Sequence, residues 1–158
     1  MRYWFVAVIC ACSLAGFGQA QTAPPSAKDT AAIVDFVQTS VPRALNYQQG
    51  DRTSLIDAQS DFTADGWREF MKHLEGWLDG KGAPLGGSSF TPSGDAVVKS
   101  QDNGVIHLTI PGTLRQTQNA SRTTYQVSVD VQVAGKPVKI LHLETKICGG
   151  VSTSSTCR

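Results

Sequence analysis

Between Asp61 and Leu78, Trp67, Phe70, Met71, Leu74, Trp77 and Leu78 recur at helical spacing, while Arg68, Glu69, Lys72, Glu75 and Asp79 fall between them. On a helix the first set makes one broad apolar stripe and the second a solvated face. The stretch also carries its own start. The Thr63 hydroxyl is placed to accept from an orphan first-turn amide, and Asp65 puts negative charge at the positive end of the helix dipole. Phe62 before the cap and Trp67 at the fourth helical position have the spacing of a hydrophobic staple. A stripe this wide requires a second layer, and the rest of the chain supplies a sheet.

Upstream, Asp29 or Thr30 is expected to cap a first helix to about Ser40, with Ile33, Val34, Phe36 and Val37 apolar and Pro42 ending or kinking it. Gly50-Asp51 restarts a second helix whose buried side is Leu55, Ile56, Ala58 and Gln59. Downstream, Gly80 and Gly82 stop the third helix, and the segment to Gly94 reads as a long loop anchored by Leu85 and Phe90. The period then changes. Ala96 to Ser100 and Val105 to Ile110 flank Asp102-Asn103-Gly104, a strong hairpin signal. Pro111-Gly112 predicts a bulge or bend, with the strand resuming from Thr113 to Gln116. Tyr125, Val127, Val129, Val131 and Val133 alternate with Gln126, Ser128, Asp130 and Gln132, giving a strand with one wet face. Ala134 to Pro137 turns it, and Val138 to Ile147 returns with its alternation disturbed around Ile140 to Leu143. The expected layout is α+β: three N-terminal helices packed on a four-stranded antiparallel sheet.

The N-terminus reads as an export signal. Arg2 is followed by an uncharged apolar run to Gly18, and small residues close it at Ala20. The run is short for a bilayer span, so cleavage after residue 20 is expected, with no stable membrane span thereafter. Residues 21–28, with Pro24 and Pro25, read as a disordered lead-in, and 29–158 as one domain. Arg2 is the only charge lost from 14 basic and 13 acidic residues, so the mature chain balances and lacks the basic excess that nucleic-acid binding normally leaves. Cys10 and Cys12 leave with the signal. Cys148 and Cys157 then have only each other in an oxidising compartment, which predicts a disulfide closing a small C-terminal loop.

No constellation names a reaction. His73, His107 and His142 share no metal-ligand spacing, and neither a nucleophile elbow nor a phosphate-cradling glycine loop is present. Asp57, Asp61 and Asp65 straddle a helix end and a helix start, where capping and solubility account for them. Asn119-Ala120-Ser121 matches a glycosylation acceptor pattern but is read as a turn. No metal, cofactor or enzymatic activity is expected.

Asn46-Tyr47, an intervening helix, then Phe62-Thr63-Ala64-Asp65-Gly66-Trp67-Arg68-Glu69-Phe70 and Leu74 resembles the periplasmic domain of the DotI/IcmL proteins of type IV secretion systems. In that family an Asn-Tyr likewise precedes a helix that leads into Phe-Thr-x-x-Gly-Trp-x-x-Phe. Ile110-Pro111-Gly112 and the valine strand are similar to the family's second and third strands. The resemblance implies a cystatin-like or nuclear-transport-factor-2-like cone, related to the VirB-type inner-membrane component, in which a curved sheet holds helices in its concavity. It also implies a non-enzymatic assembly or adaptor role in the periplasm or outside the cell, through protein partners such as envelope secretion components or by self-association. The valine-strand edge and the outer helix face are the expected contact surfaces. The alternative is a small-molecule-binding or enzymatic cone, with a pocket near Trp77, His107 and Tyr125. One fold carries many functions, so a filled or an open concavity separates the two.

Overall fold

The valine alternation becomes the middle of a sheet. In the computed structural model, which describes residues 27–150 and the side chains of residues 28–148, β4 (Ser121–Ala134) lies between β3 (Val105–Gln118) and β5 (Lys139–Gly150). Three helices precede the sheet: α1 (Ala27–Leu45), α2 (Arg52–Gln59) and α3 (Ala64–Leu74), the last followed by a 3-10 turn at Glu75–Trp77. β1 (Gly87–Pro92) and β2 (Val97–Asp102) both pair with β3, all pairings being antiparallel. The α+β layout is as expected, with a fifth strand. β1 lies inside the segment expected to be loop, because its composition, Gly-Ser-Ser-Phe-Thr-Pro, has little strand propensity of its own. The side chains of Ser88 and Phe90 face inward and are buried, which gives the strand its alternation.

Pro111 does not produce a bulge. The β3–β4 register runs unbroken through Pro111↔Ser128 and Gly112↔Val127. On the other side β1 ends at Pro92↔Gly112 and β2 begins at Val97↔Thr109, so Pro111 falls at the junction of two partner strands. Its carbonyl accepts there from the Ser93 amide at 2.9 Å. A strand residue presents its N and O to the same side, so the missing N–H interrupts no ladder. Gly112 has a packing reason: a Cβ there would stand 2.3 Å from the Phe90 ring.

The disturbance around Leu141 is a bulge: Gln132 pairs with His142 and Val133 with Ile140, leaving Leu141 unpaired in the β4–β5 register. Two hairpins close on left-handed residue pairs. Asn103 and Gly104, with φ of 51° and 79°, join β2 to β3, and Asn119 and Ala120, with φ of 51° and 65°, join β3 to β4. The Asn119 segment is thus a turn, as expected.

One face of the sheet meets the helices. Ile106, Leu108, Ile110 and Leu114 of β3, the valines of β4, and Ile140 and Leu143 of β5 are buried against Val37, Val41, Leu55 and Phe62. α1 runs through Pro42 instead of stopping at Ser40. Val37, Val41, Ala44 and Leu45 continue the buried stripe across the proline, and that burial outweighs one missing helix hydrogen bond. The helix starts at Ala27, inside the expected lead-in. In α2 only Leu55 and Ala58 are buried, whereas Ile56 is 45% exposed and Gln59 is exposed. Leu55 and Ala58, three apart, share one face, whereas Ile56 lies about 100° round the helix from Leu55 and Gln59 is the last residue of the helix. Leu85 is exposed, while Phe90 is buried.

Candidate functional site

The residues that carried the resemblance form two clasps at opposite edges of the sheet. At the β5 edge, Asp61 to Gly66 dock the start of α3. The Thr63 hydroxyl accepts from the Gly66 amide at 3.1 Å, capping the helix, while the Thr63 amide donates to the Ile140 carbonyl at 2.9 Å. The Ile140 amide donates back to the Asp61 carbonyl at 2.8 Å, so Phe62 bridges Ile140 in the parallel sense. Gly66 is buried at this contact. A Cβ would lie 2.7 Å from both the Ile140 and the Leu141 carbonyl oxygens, so the helix reaches the bulge only because position 66 has no side chain. Phe62 packs edge-on to Trp67, with centroids 5.4 Å apart, and stacks on Phe70 at 5.3 Å. Trp67 and Leu74 are half-buried against the core.

At the opposite edge, Asn46 and Tyr47 tie the end of α1 to β1. The Asn46 side-chain carbonyl accepts from the Phe90 amide at 2.6 Å. Tyr47 exchanges two backbone bonds with Ser88, at 3.1 and 2.9 Å. Burial pushes the Tyr47 phenol up, and the Ser88 hydroxyl contact opposes this in part. The sequence pattern located both clasps, but their partners on β1 and β5 became visible only with the register.

The outer face of the sheet is polar. His107, Gln132 and His142 form one cross-strand row, and Thr109, Asp130 and Glu144 the next. A cavity of about 290 Å³ lies over these rows. Asp130 is engaged within it: burial alone would raise its pKa, but hydrogen bonds from Lys146 at 2.6 Å and Thr109 at 2.9 Å outweigh that and hold it low. Lys146 is held correspondingly high, chiefly by its hydrogen bond to Asp130. His142 Nδ1 lies 3.3 Å from Glu69 on α3, and His73 contacts the Glu69 carbonyl at 2.8 Å. Among the described residues no three His, Cys, Asp or Glu side chains gather as metal ligands.

His107, Trp77 and Tyr125 do not come together. His107 lines the outer-face cavity, Tyr125 packs against the core on the opposite face, and Trp77 sits on the 3-10 turn, its carbonyl accepting from the Leu85 amide. Cys148 lies on β5, and Cys157 lies outside the described residues, as does the segment 1–20. The valine strand β4 is central, so the edge expected there belongs to β5 instead. A second cavity, of about 400 Å³, lies where the residues after α1 meet β1, β3 and β4; Arg115 and Arg122 line it. Neither arginine stood out in the sequence, since only the strand register makes them neighbours.

No family model matches the sequence, and none of the curated proteins does. Solved structures match the fold. An IcmL-like type IV secretion system protein of Legionella pneumophila is similar with 12% identity and a TM-score of 0.63, over 84% of this chain and 99% of that one. The periplasmic domain of DotI is similar with 15% identity and a TM-score of 0.64, over 80% of this chain and 99% of that one. CagV, a VirB8 homologue of Helicobacter pylori, gives 14% identity and a TM-score of 0.52, over 75% and 99%. The fold of this chain, three helices clasped at both edges to a five-stranded antiparallel sheet, is therefore similar to that of the DotI and IcmL-like domains.

Proposed function

We propose that the protein is an exported, non-enzymatic assembly or adaptor component of a type IV secretion-like envelope machine. It acts in the periplasm through protein contacts, after cleavage at residue 20 and with Cys148 bonded to Cys157. The observation that carries this reading is the filled concavity. Where a ligand-binding cone keeps a pocket under its sheet, Val37, Val41, Leu55, Leu108, Ile110 and Val129 meet with at most 1% exposure. The likeness in fold to proteins named as type IV secretion components supports the same reading. Among the described residues no helix is long and apolar enough to cross a membrane, which is compatible with a domain held in the aqueous envelope.

Two surfaces fit the role. The outer edge of β5 follows β4 at the end of the sheet order, and Ile147 on it is 62% exposed. The outward face of α3 presents Arg68 and Lys72, both exposed. The test is charge reversal: Arg68→Glu with Lys72→Glu should weaken partner capture from native envelopes by about tenfold while leaving the circular dichroism spectrum unchanged. Undiminished capture would remove the α3 face from the proposal. Mass spectrometry of the same protein should give a chain beginning at Gln21 with no free thiol.

A further inference from the structure

The second cavity is built on two cross-strand rows of the sheet's outer face. Gly87, Thr117 and Arg122 form one, and Ser89, Arg115 and Thr124 the other. Arg115 and Arg122 are therefore diagonal neighbours on one face, about 7–8 Å apart at the backbone and within reach of a common point for side chains this long. Like charges so placed repel each other. Arg43 and Arg68 each hold a carboxylate, Asp61 at 2.9 Å and Asp65 at 2.7 Å, whereas Arg115 and Arg122 have no hydrogen-bond or ion-pair partner among the described residues. No aspartate or glutamate lines the cavity; its other polar walls are Tyr47 and Ser88, engaged with each other, and Ser89, Thr117, Gln48 and Gln49, which can all donate. Gly87 carries no side chain beside Thr117, which leaves the floor open.

We infer that this cavity is an anion site for a phosphate monoester. Two guanidinium groups present paired donors that match phosphate oxygens, and their combined charge is balanced by a monoester dianion but not by a single carboxylate or a phosphodiester. The volume of about 400 Å³ leaves room for an organic group on the ester, in the range of small-molecule sites. The ester can come from a soluble metabolite or from a lipid headgroup, which share this chemistry. None of its lining residues lies on β5 or α3, so it stands or falls independently of the assembly reading.

The probe is glycerol 3-phosphate, titrated into the isotopically labelled mature chain at low salt. Amide shifts should centre on Gly87, Ser89 and Thr117. Arg115→Gln and Arg122→Gln should each weaken binding by about tenfold or more, while Arg68→Gln leaves it unchanged. Binding should fall as the pH drops through about 6, where the monoester loses its second charge. Vesicles of phosphatidylcholine with phosphatidic acid, against phosphatidylglycerol at equal mole fraction, distinguish the sources. Preferential capture by phosphatidic acid assigns a lipid, and binding of the soluble ester alone assigns a metabolite. The wild-type shift map keeps the test decisive if a variant misfolds. Shifts absent at millimolar ester, unchanged affinity in both variants, or equal binding of acetate or an acidic peptide would overturn the site.

Discussion

At position 66 a methyl group would meet two backbone carbonyl oxygens at 2.7 Å, and neither can rotate away as a flexible side chain would. Gly66→Ala should therefore destabilise the chain by about 2–3 kcal/mol in urea denaturation, although alanine is the better helix former. A loss under about 0.5 kcal/mol would mean the helix stands farther from the bulge. Phe62 touches both Trp67 and Phe70 and is 6% exposed, so Phe62→Ala should cost about 3–5 kcal/mol. Trp67→Ala should cost less, about 2–3 kcal/mol, because that ring is only half-buried. At the other sign, Ala120 holds φ of 65° in a two-residue hairpin turn that favours glycine at that place. Ala120→Gly should raise stability by about 0.5–1 kcal/mol, read as a higher urea midpoint at unchanged slope. The Thr63 cap and the Phe62 staple were legible because their partners lie three and five residues on in the sequence. The need for glycine at 66 was not, since its carbonyl neighbours belong to β5.

Elements whose signal is local followed the sequence, and those made by their partners did not. β4 reads as a strand from its own alternation, but β1 is a strand because β3 and the Asn46–Tyr47 clasp make it one. Asn46→Ala leaves the Phe90 amide without its acceptor, so it should cost about 1–3 kcal/mol and speed hydrogen exchange across Ser88 to Thr91 before other strands. Uniform exchange in all five strands would show that β1 does not depend on the clasp. The strand pair β4–β5 carries a titration. Asp130 is held below its ordinary range in the folded chain, so its contribution is present above the unfolded value and is lost as pH falls through the folded one. Lys146 is held high, so its contribution is complete below its unfolded value and is lost as pH rises through the folded one. Asp130→Asn should thus flatten the fall in melting temperature below about pH 4 without altering the neutral-pH fold.

For the whole molecule, helices first and a meander afterwards were enough to reach an α+β layout, because amphipathic helices and half-wet strands have few ways to cover each other. The motif residues then identified where the layers are joined. What the sequence withheld was which strand is central, since alternation gives a strand its faces but not its neighbours. This changes the functional account: β4 is enclosed, and β5 is the edge with Ile147 uncovered. The most direct test is therefore a photo-crosslinking amino acid at position 147, activated in the native envelope with the full-length chain. A discrete adduct to a second envelope protein or a second copy of the chain is expected. Recovery of the protein only as an uncross-linked monomer, with a small molecule co-purifying from beneath the sheet, would contradict it.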